Sequence, residues 1–164
     1  MKKLLYCILL VLVLCTSCVS FPQGRDDSGL LVIKKDSEYK SLDSFYAYYK
    51  LYYSEKEYIK IFPNGNIQFI NDLKPGEYTC FKLEAIYQNT GKLANINTVY
   101  CRFEIEEGKY TLFPYVFKTY FKKNTKGVKL QYFKLDEINE DILDSIKKEL
   151  AEIPKYSEWE EKIR

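Results

Sequence analysis

Between residues 30 and 135 the chain alternates short runs of β-branched and aromatic residues with turn signals, and this pattern limits its fold more than any other feature. The runs are LLVI at 30–33, SFYAYYKLYY at 44–53, EYIKIF at 57–62, NIQFI at 66–70, EYTCFKLEAIY at 77–87, NTVYCRFEIEE at 97–107, YTLFPYVFKTYF at 110–121 and VKLQYFKL at 128–135. Between them stand Pro63-Asn64-Gly65-Asn66, Pro75-Gly76, Thr90-Gly91, Glu107-Gly108 and Thr125-Lys126-Gly127. Val, Ile, Tyr and Phe fit a pleated, half-buried surface, while Gly and Pro supply the tight reversals. Strands of this length at this spacing predict an antiparallel sandwich or barrel over residues 30–137. Pro114 cannot donate to a ladder, so its run should hold an edge strand or a bulge.

The period changes over residues 138–164. Asn139 is placed to cap a helix whose first turn carries Glu140 and Asp141, favourable beside the positive end of the dipole. Ile138 and Leu143 are spaced for a hydrophobic staple across that cap. Ile142, Leu143, Ile146, Leu150 and Ile153 share one helical face, and Pro154 ends the run. A second turn could begin at Ser157, with Glu160 completing a capping box and Trp159 and Ile163 packing back. This helical tail should close one face or end of the sheet.

At the other end, Lys2 and Lys3 precede an apolar run from Leu4 to Cys15 broken only by Tyr6. A membrane-crossing helix needs about 20 apolar residues, and this run is shorter. A basic start, a short apolar run and then small residues is the layout of a secretory signal peptide. Thr16 and Ser17 stand just before Cys18, and the segment resembles the lipobox of bacterial lipoproteins. The resemblance implies cleavage after residue 17, acylation of Cys18 and a flexible tether over 18–29. Cys15 occupies the position where that family usually has Leu. As the modified residue itself Cys15 fits poorly, because Leu14 beside the cut is bulky. Two or three acyl chains would hold the protein on a lipid bilayer. The implied location is the cell envelope, periplasmic or surface-exposed, on the outer membrane where two membranes are present. An ordinary secreted protein, with Cys18 as a thiol, is the alternative.

Without residues 1–17 the chain carries 23 basic and 23 acidic side chains. A neutral chain without basic clusters has no electrostatic footprint for nucleic acid. Loss of Cys7 and Cys15 with the leader and use of Cys18 as the lipid site leave Cys80 and Cys101. Their midpoint falls in QNTGK, a hairpin signal, which would set them roughly opposite. Cys101 alternates with Val99, Phe103 and Ile105, but the apolar face beside Cys80 reads as Phe81, Leu83 and Ala85. Both patterns hold only with a bulge or a change of register. A disulfide and two buried thiols are both open readings.

The chain has no His, which excludes Ser-His-Asp and Cys-His catalysis. Without CxxC spacing the two cysteines make no metal site, and no Gly-rich loop is present to cradle a phosphate. No cofactor is expected. SIKK at Ser145–Lys148 and SEYK at Ser37–Lys40 match the S-x-x-K of penicillin-binding enzymes, but the partner motifs are missing. Glu104, Glu106 and Glu107 could serve a glycosidase, though Glu104 and Glu106 read better as the solvated face of a strand. In FYAYYKLYY, Phe45, Ala47, Tyr49, Leu51 and Tyr53 share one face, and Tyr46, Tyr48, Lys50 and Tyr52 the other. The first face suits a core. The second is either half-covered by the tail helix or loops, or a contact surface formed by Tyr46, Tyr48 and Tyr52.

The stretch NGNIQFINDLKPGEYTC is similar to the carboxypeptidase-regulatory or transthyretin-like β-sandwich. The matching residues are Phe69, Leu73, Pro75, Gly76 and Tyr78. The resemblance implies an Ig-like or transthyretin-like sandwich in which a Pro-Gly type II turn starts a strand and Tyr78 packs inward. FEIEEGKYTLF and the helical tail with Trp159 also resemble small bacterial envelope lipoproteins of uncharacterised function. The expected protein is therefore a lipid-anchored, non-catalytic structural or interaction module meeting an envelope protein or glycan. A binding protein using the Tyr face on a host protein or glycan, and a hydrolase with an unrecognised carboxylate site, are the rivals.

Overall fold

The computed structural model describes Pro22, residues 27–38 and residues 44–156. Cys18, the leader and the second helical turn expected around Ser157, Glu160, Trp159 and Ile163 lie outside the described residues. Among the described residues nine strands and one helix form in chain order: β1 (Gly29–Ser37), β2 (Tyr46–Tyr52), β3 (Tyr58–Ile61), β4 (Ile67–Leu73), β5 (Gly76–Tyr87), β6 (Leu93–Ile105), β7 (Tyr110–Leu112), β8 (Tyr115–Lys123), β9 (Lys129–Glu137) and α1 (Glu140–Ala151). They make two sheets. One runs β4-β1-β8-β9 with β7 also on β1, and the other runs β3-β2-β5-β6. The chain is mainly β, as its apolar runs predict.

The expectation of a wholly antiparallel arrangement fails at β1, which is antiparallel to β4 but parallel to both β7 and β8. The whole second sheet intervenes between β1 and β7 in sequence, so no hairpin joins them and the long return sets the direction. β7 and β8 are one strand interrupted by Phe113 and Pro114. Pairing resumes from Val32–Leu112 to Lys35–Phe117, so the β7–β8 side gains two residues at the proline. The Phe113 N–H still reaches the Val32 carbonyl at 2.8 Å, and its ring is fully buried. Pro114 therefore marks a bulge in an interior strand.

β1 explains its own composition. Leu31 and Ile33 enter the core between the sheets, with Tyr49, Leu51, Ile59, Ile61, Leu83, Cys101, Phe113 and Phe117. Leu30 and Val32 point to the opposite face, where Ile146, Leu150 and Tyr156 cover them. A strand buried on both faces shows no alternation, which is why LLVI is a continuous apolar run. The tail helix thus covers the outer face of the β1-containing sheet. Asn139 caps it as expected, its side chain accepting the Ile142 N–H at 2.9 Å. Lys34 adds an ion pair to Glu149. The helix ends at Ala151, three residues before Pro154.

Pro75 and Gly76 join β4 in one sheet to β5 in the other. Gly76 has φ of 141°, well beyond the roughly +80° of the expected type II turn. The segment is a corner between sheets, and glycine serves there because other residues avoid that backbone region. Tyr78 does pack against the core, its ring stacked on Phe103 at 5.4 Å and its hydroxyl donating to the Lys74 carbonyl at 2.8 Å.

Lys35 continues the inward face of β1, where an ammonium is costly. Its Nζ donates to the carbonyls of Phe62 (3.1 Å) and Asn64, holding the turn between β3 and β4. Burial lowers its pKa to about 8. The folded chain then releases this proton near pH 8, whereas an unfolded lysine keeps it to about 10.5. Between those values the unfolded state binds more protons, so stability should rise with pH. Urea midpoints at about pH 7 and about pH 9.5 should show the wild type gaining on Lys35→Met. A constant difference between the two proteins would contradict the placement of Lys35.

Candidate ligand-binding cleft

The inward positions of β6 are set by its pairing with β5. Cys101 faces Cys80, Asn97 faces Leu83 and Asn95 faces Ala85. Because Leu83 and Ala85 are buried core residues, directly opposed Asn97 and Asn95 share their side of the sheet. The alternation that puts Ile105, Phe103, Cys101 and Val99 against the core therefore continues to half-buried Asn97, beyond which Asn95 is exposed and Ala94 packs on the core. β9, the edge of the other sheet, shows the same change: Leu135 and Phe133 pack on the core, followed along the same face by Gln131 and Lys129. The interior is apolar at one end and polar at the other, where β6 and β9 form an open edge of the sandwich.

A cavity of about 430 Å³ occupies this edge. Its aromatic walls are Phe45, Tyr46, Tyr87 and Phe133, with Asn95, Asn97 and Gln131 supplying amides. Among the described residues no acidic side chain lines it and Lys129 is the one charged residue in its wall, its ammonium 3.8 Å from the centre of the Phe121 ring. The Asn97 side chain makes no hydrogen bond to the described residues, whereas the Asn95 side chain accepts from the Ile96 N–H at 2.8 Å.

Gln131 builds the floor. Its Oε1 accepts the Phe45 N–H at 2.7 Å, which fixes the amide orientation because a backbone N–H only donates. Nε2 then donates to the Tyr49 hydroxyl at 3.1 Å and Ser44 Oγ at 3.2 Å. Ser44 Oγ in turn donates to the Tyr46 carbonyl at 2.8 Å. One buried side chain thus joins β9 to the start of β2 and holds the two walls in place. Every buried side-chain polar atom among the described residues has a partner.

The proposed tyrosine surface does not exist as a unit. Pairing between β2 and β5 shifts register between Tyr46 and Tyr48, so Tyr46 leaves the outer face. It meets the core edge-on to Tyr49 at 5.6 Å and lines the cleft instead. Phe45, placed with the core face from sequence, is 41% exposed and packs on Phe121. Tyr48 and Tyr52 remain on the outer face but carry lysines: Lys60 lies 4.2 Å from the Tyr48 ring centre and Lys82 3.8 Å from that of Tyr52. Lys50 sits 4.9 Å from the Tyr58 ring in the same manner. Tyr52 is buried, and its hydroxyl donates to Glu84 at 2.8 Å. Burial and that carboxylate push its phenol up to about 12. These rings seat the protein's own cations. The tail helix covers the other sheet, so it does not explain the tyrosines.

Cys80 and Cys101 pair directly across β5 and β6, in a hairpin closed at Gly91, and both are buried thiols here. The anticipated register change follows at once: from Cys80–Cys101 to Lys82–Thr98, β6 advances three residues while β5 advances two. Inward positions on β5 consequently pass from Cys80 to Leu83, and Phe81, expected inside, is 42% exposed. Hydrogen bonding to Cys101 and burial push the Cys80 thiol up, while the same hydrogen bond draws the Cys101 thiol down. Under oxidising conditions the pair should form a disulfide. Non-reducing mass spectrometry of peptides from aerobically purified protein should show the link, and free thiols there would refute it.

The other sequence candidates stay apart from the cleft. Ser145 and Lys148 are exposed on α1. Ser37 Oγ donates to the Pro63 carbonyl at 2.8 Å, while Lys40 lies outside the described residues. Glu104 is exposed, and Glu106 pairs with Lys109. Among the described residues no group of three His, Cys, Asp or Glu side chains could hold a metal ion.

Comparison with protein-family models, curated proteins and solved structures found no match to this chain.

Proposed function

We propose that the chain is a bacterial cell-envelope lipoprotein, anchored in a bilayer through acylated Cys18, whose β domain is a non-catalytic binding module. Its ligand site is the cleft between β6 and β9. The observation that carries this reading is the set of amides at the cleft, Asn95, Asn97 and Gln131, beside aromatic walls and with no carboxylate among the described lining residues. Half-buried and exposed amides beside aromatic rings offer a ligand hydrogen-bonding groups and apolar surface together, as small-molecule sites do. No described residue of the cleft is acidic, so the hydrolase alternative gains no paired acids there. The lysine-covered rings of Tyr48 and Tyr52 speak against the outer face as the recognition surface. The leader and the Thr16-Ser17-Cys18 sequence support the anchor. The Leu73–Tyr78 corner between two sheets supports a transthyretin-like arrangement.

A photo-crosslinking residue in place of Asn97, in the full chain expressed in cells, tests the binding reading. It should yield a discrete adduct, whereas the same residue in place of outer-face Tyr100 should not. Adducts at position 100 alone would reject the cleft. Metabolic labelling with a fatty-acid analogue should mark the wild type and not Cys18→Ala; label that persists in the variant would reject the anchor.

A further inference from the structure

Resting on that binding reading, we infer that the cleft takes a neutral pyranose saccharide. Three features narrow the ligand. First, the described wall holds no carboxylate to receive a cationic group, and its one described ammonium, Lys129, lies over the Phe121 ring at 3.8 Å. Second, Asn95 and Asn97 lie two residues apart on one strand face, which spaces them by about 7 Å. Each amide has both a donor and an acceptor end, the combination that a hydroxyl rim requires. Third, Tyr87 and Phe45 are each more than two-fifths exposed and flank the amides with apolar ring surface. A pyranose carries C–H faces and a hydroxyl rim on one rigid body, and so matches rings and amides together. A wholly apolar ligand would leave Asn97 unpaired on binding, at a cost to affinity. The volume of about 430 Å³ lies in the range of roughly 300–1,000 Å³ typical of small-molecule pockets, enough for the end of an oligosaccharide.

Calorimetric titration of the full chain in a detergent without sugar headgroups, with cellobiose, maltose and N,N′-diacetylchitobiose as probes, tests this inference. At least one disaccharide should bind saturably, with a dissociation constant of about a millimolar or tighter. Tyr87→Ala and Asn97→Ala should each weaken that binding about tenfold, and Tyr100→Ala should leave it unchanged. Asn97→Asp, which keeps the side-chain size, serves in place of Asn97→Ala should the alanine variant fail to fold. No saturable binding of any of the three by folded protein would overturn the inference, as would binding unaffected by both cleft changes. If the probes fail while the adduct at position 97 still forms in cells and is degraded by protease, the cleft binds a protein and only the saccharide assignment falls. If no adduct forms there either, the binding reading falls with it.

Discussion

Tyr49→Ala should lower the stability of the domain by about 3–5 kcal/mol, a large part of the roughly 5–15 kcal/mol that holds a typical domain together. Tyr49 is fully buried at the centre of the inter-sheet core. Its ring meets Phe117 edge-on at 4.9 Å, Phe133 at 6.0 Å and Tyr46 at 5.6 Å, so it touches strands of both sheets. Removal of the ring leaves a cavity bounded by aromatics that cannot collapse independently. Its hydroxyl also accepts from Gln131 Nε2, so the same change removes a partner from the floor of the cleft. Tyr49→Phe separates the two effects: it keeps the ring and should cost about 1–3 kcal/mol through the unpaired amide N–H. Urea unfolding should show the midpoint falling in the order wild type, Tyr49→Phe, Tyr49→Ala. Equal stability of wild type and Tyr49→Ala would mean that this ring does not join the sheets.

The second large effect belongs to the tail helix. Leu150→Ala should cost about 2–5 kcal/mol, because Leu150 is buried with Ile146 against Leu30 and Val32. A 12-residue helix is marginal in water by itself, so α1 depends on that contact as much as β1 depends on its cover. Hydrogen exchange should accelerate through α1 and the outward-facing part of β1 in the variant, while the β5–β6 hairpin keeps its protection. Equal acceleration in β5 and β6 would indicate a single core and contradict the layered arrangement. Loss of the Asn139 cap should be milder, about 0.5–2 kcal/mol.

Sequence reading placed the strand runs, the Cys80–Cys101 alignment and the helix cap because each depends on residues close together in the chain or on one hairpin. The run LLVI also carried a readable message, since four consecutive apolar residues mean burial on both faces of a strand. Three features were not legible for a common reason: they depend on pairing between distant segments. The parallel neighbours of β1 come from residues about 80 positions away, with no local signature. The fates of Tyr46 and Phe81 turn on register shifts, and a one-residue slip reverses a side chain without altering the pattern that predicts its face. The cleft left a fainter trace. Asn97 falls in phase with Val99, Cys101, Phe103 and Ile105, and extending that alternation one step toward the N-terminus would have marked it as a polar residue on the inward side.

The central claim, that recognition occurs in the amide-lined cleft, is tested most directly by amide chemical shifts of the full chain during titration with detergent-solubilised cell-envelope material. Perturbed signals should cluster at Phe45, Tyr87, Asn95, Asn97 and Gln131. Perturbation confined to Tyr48, Lys60 and Lys82 would place recognition on the lysine-covered outer face and contradict it.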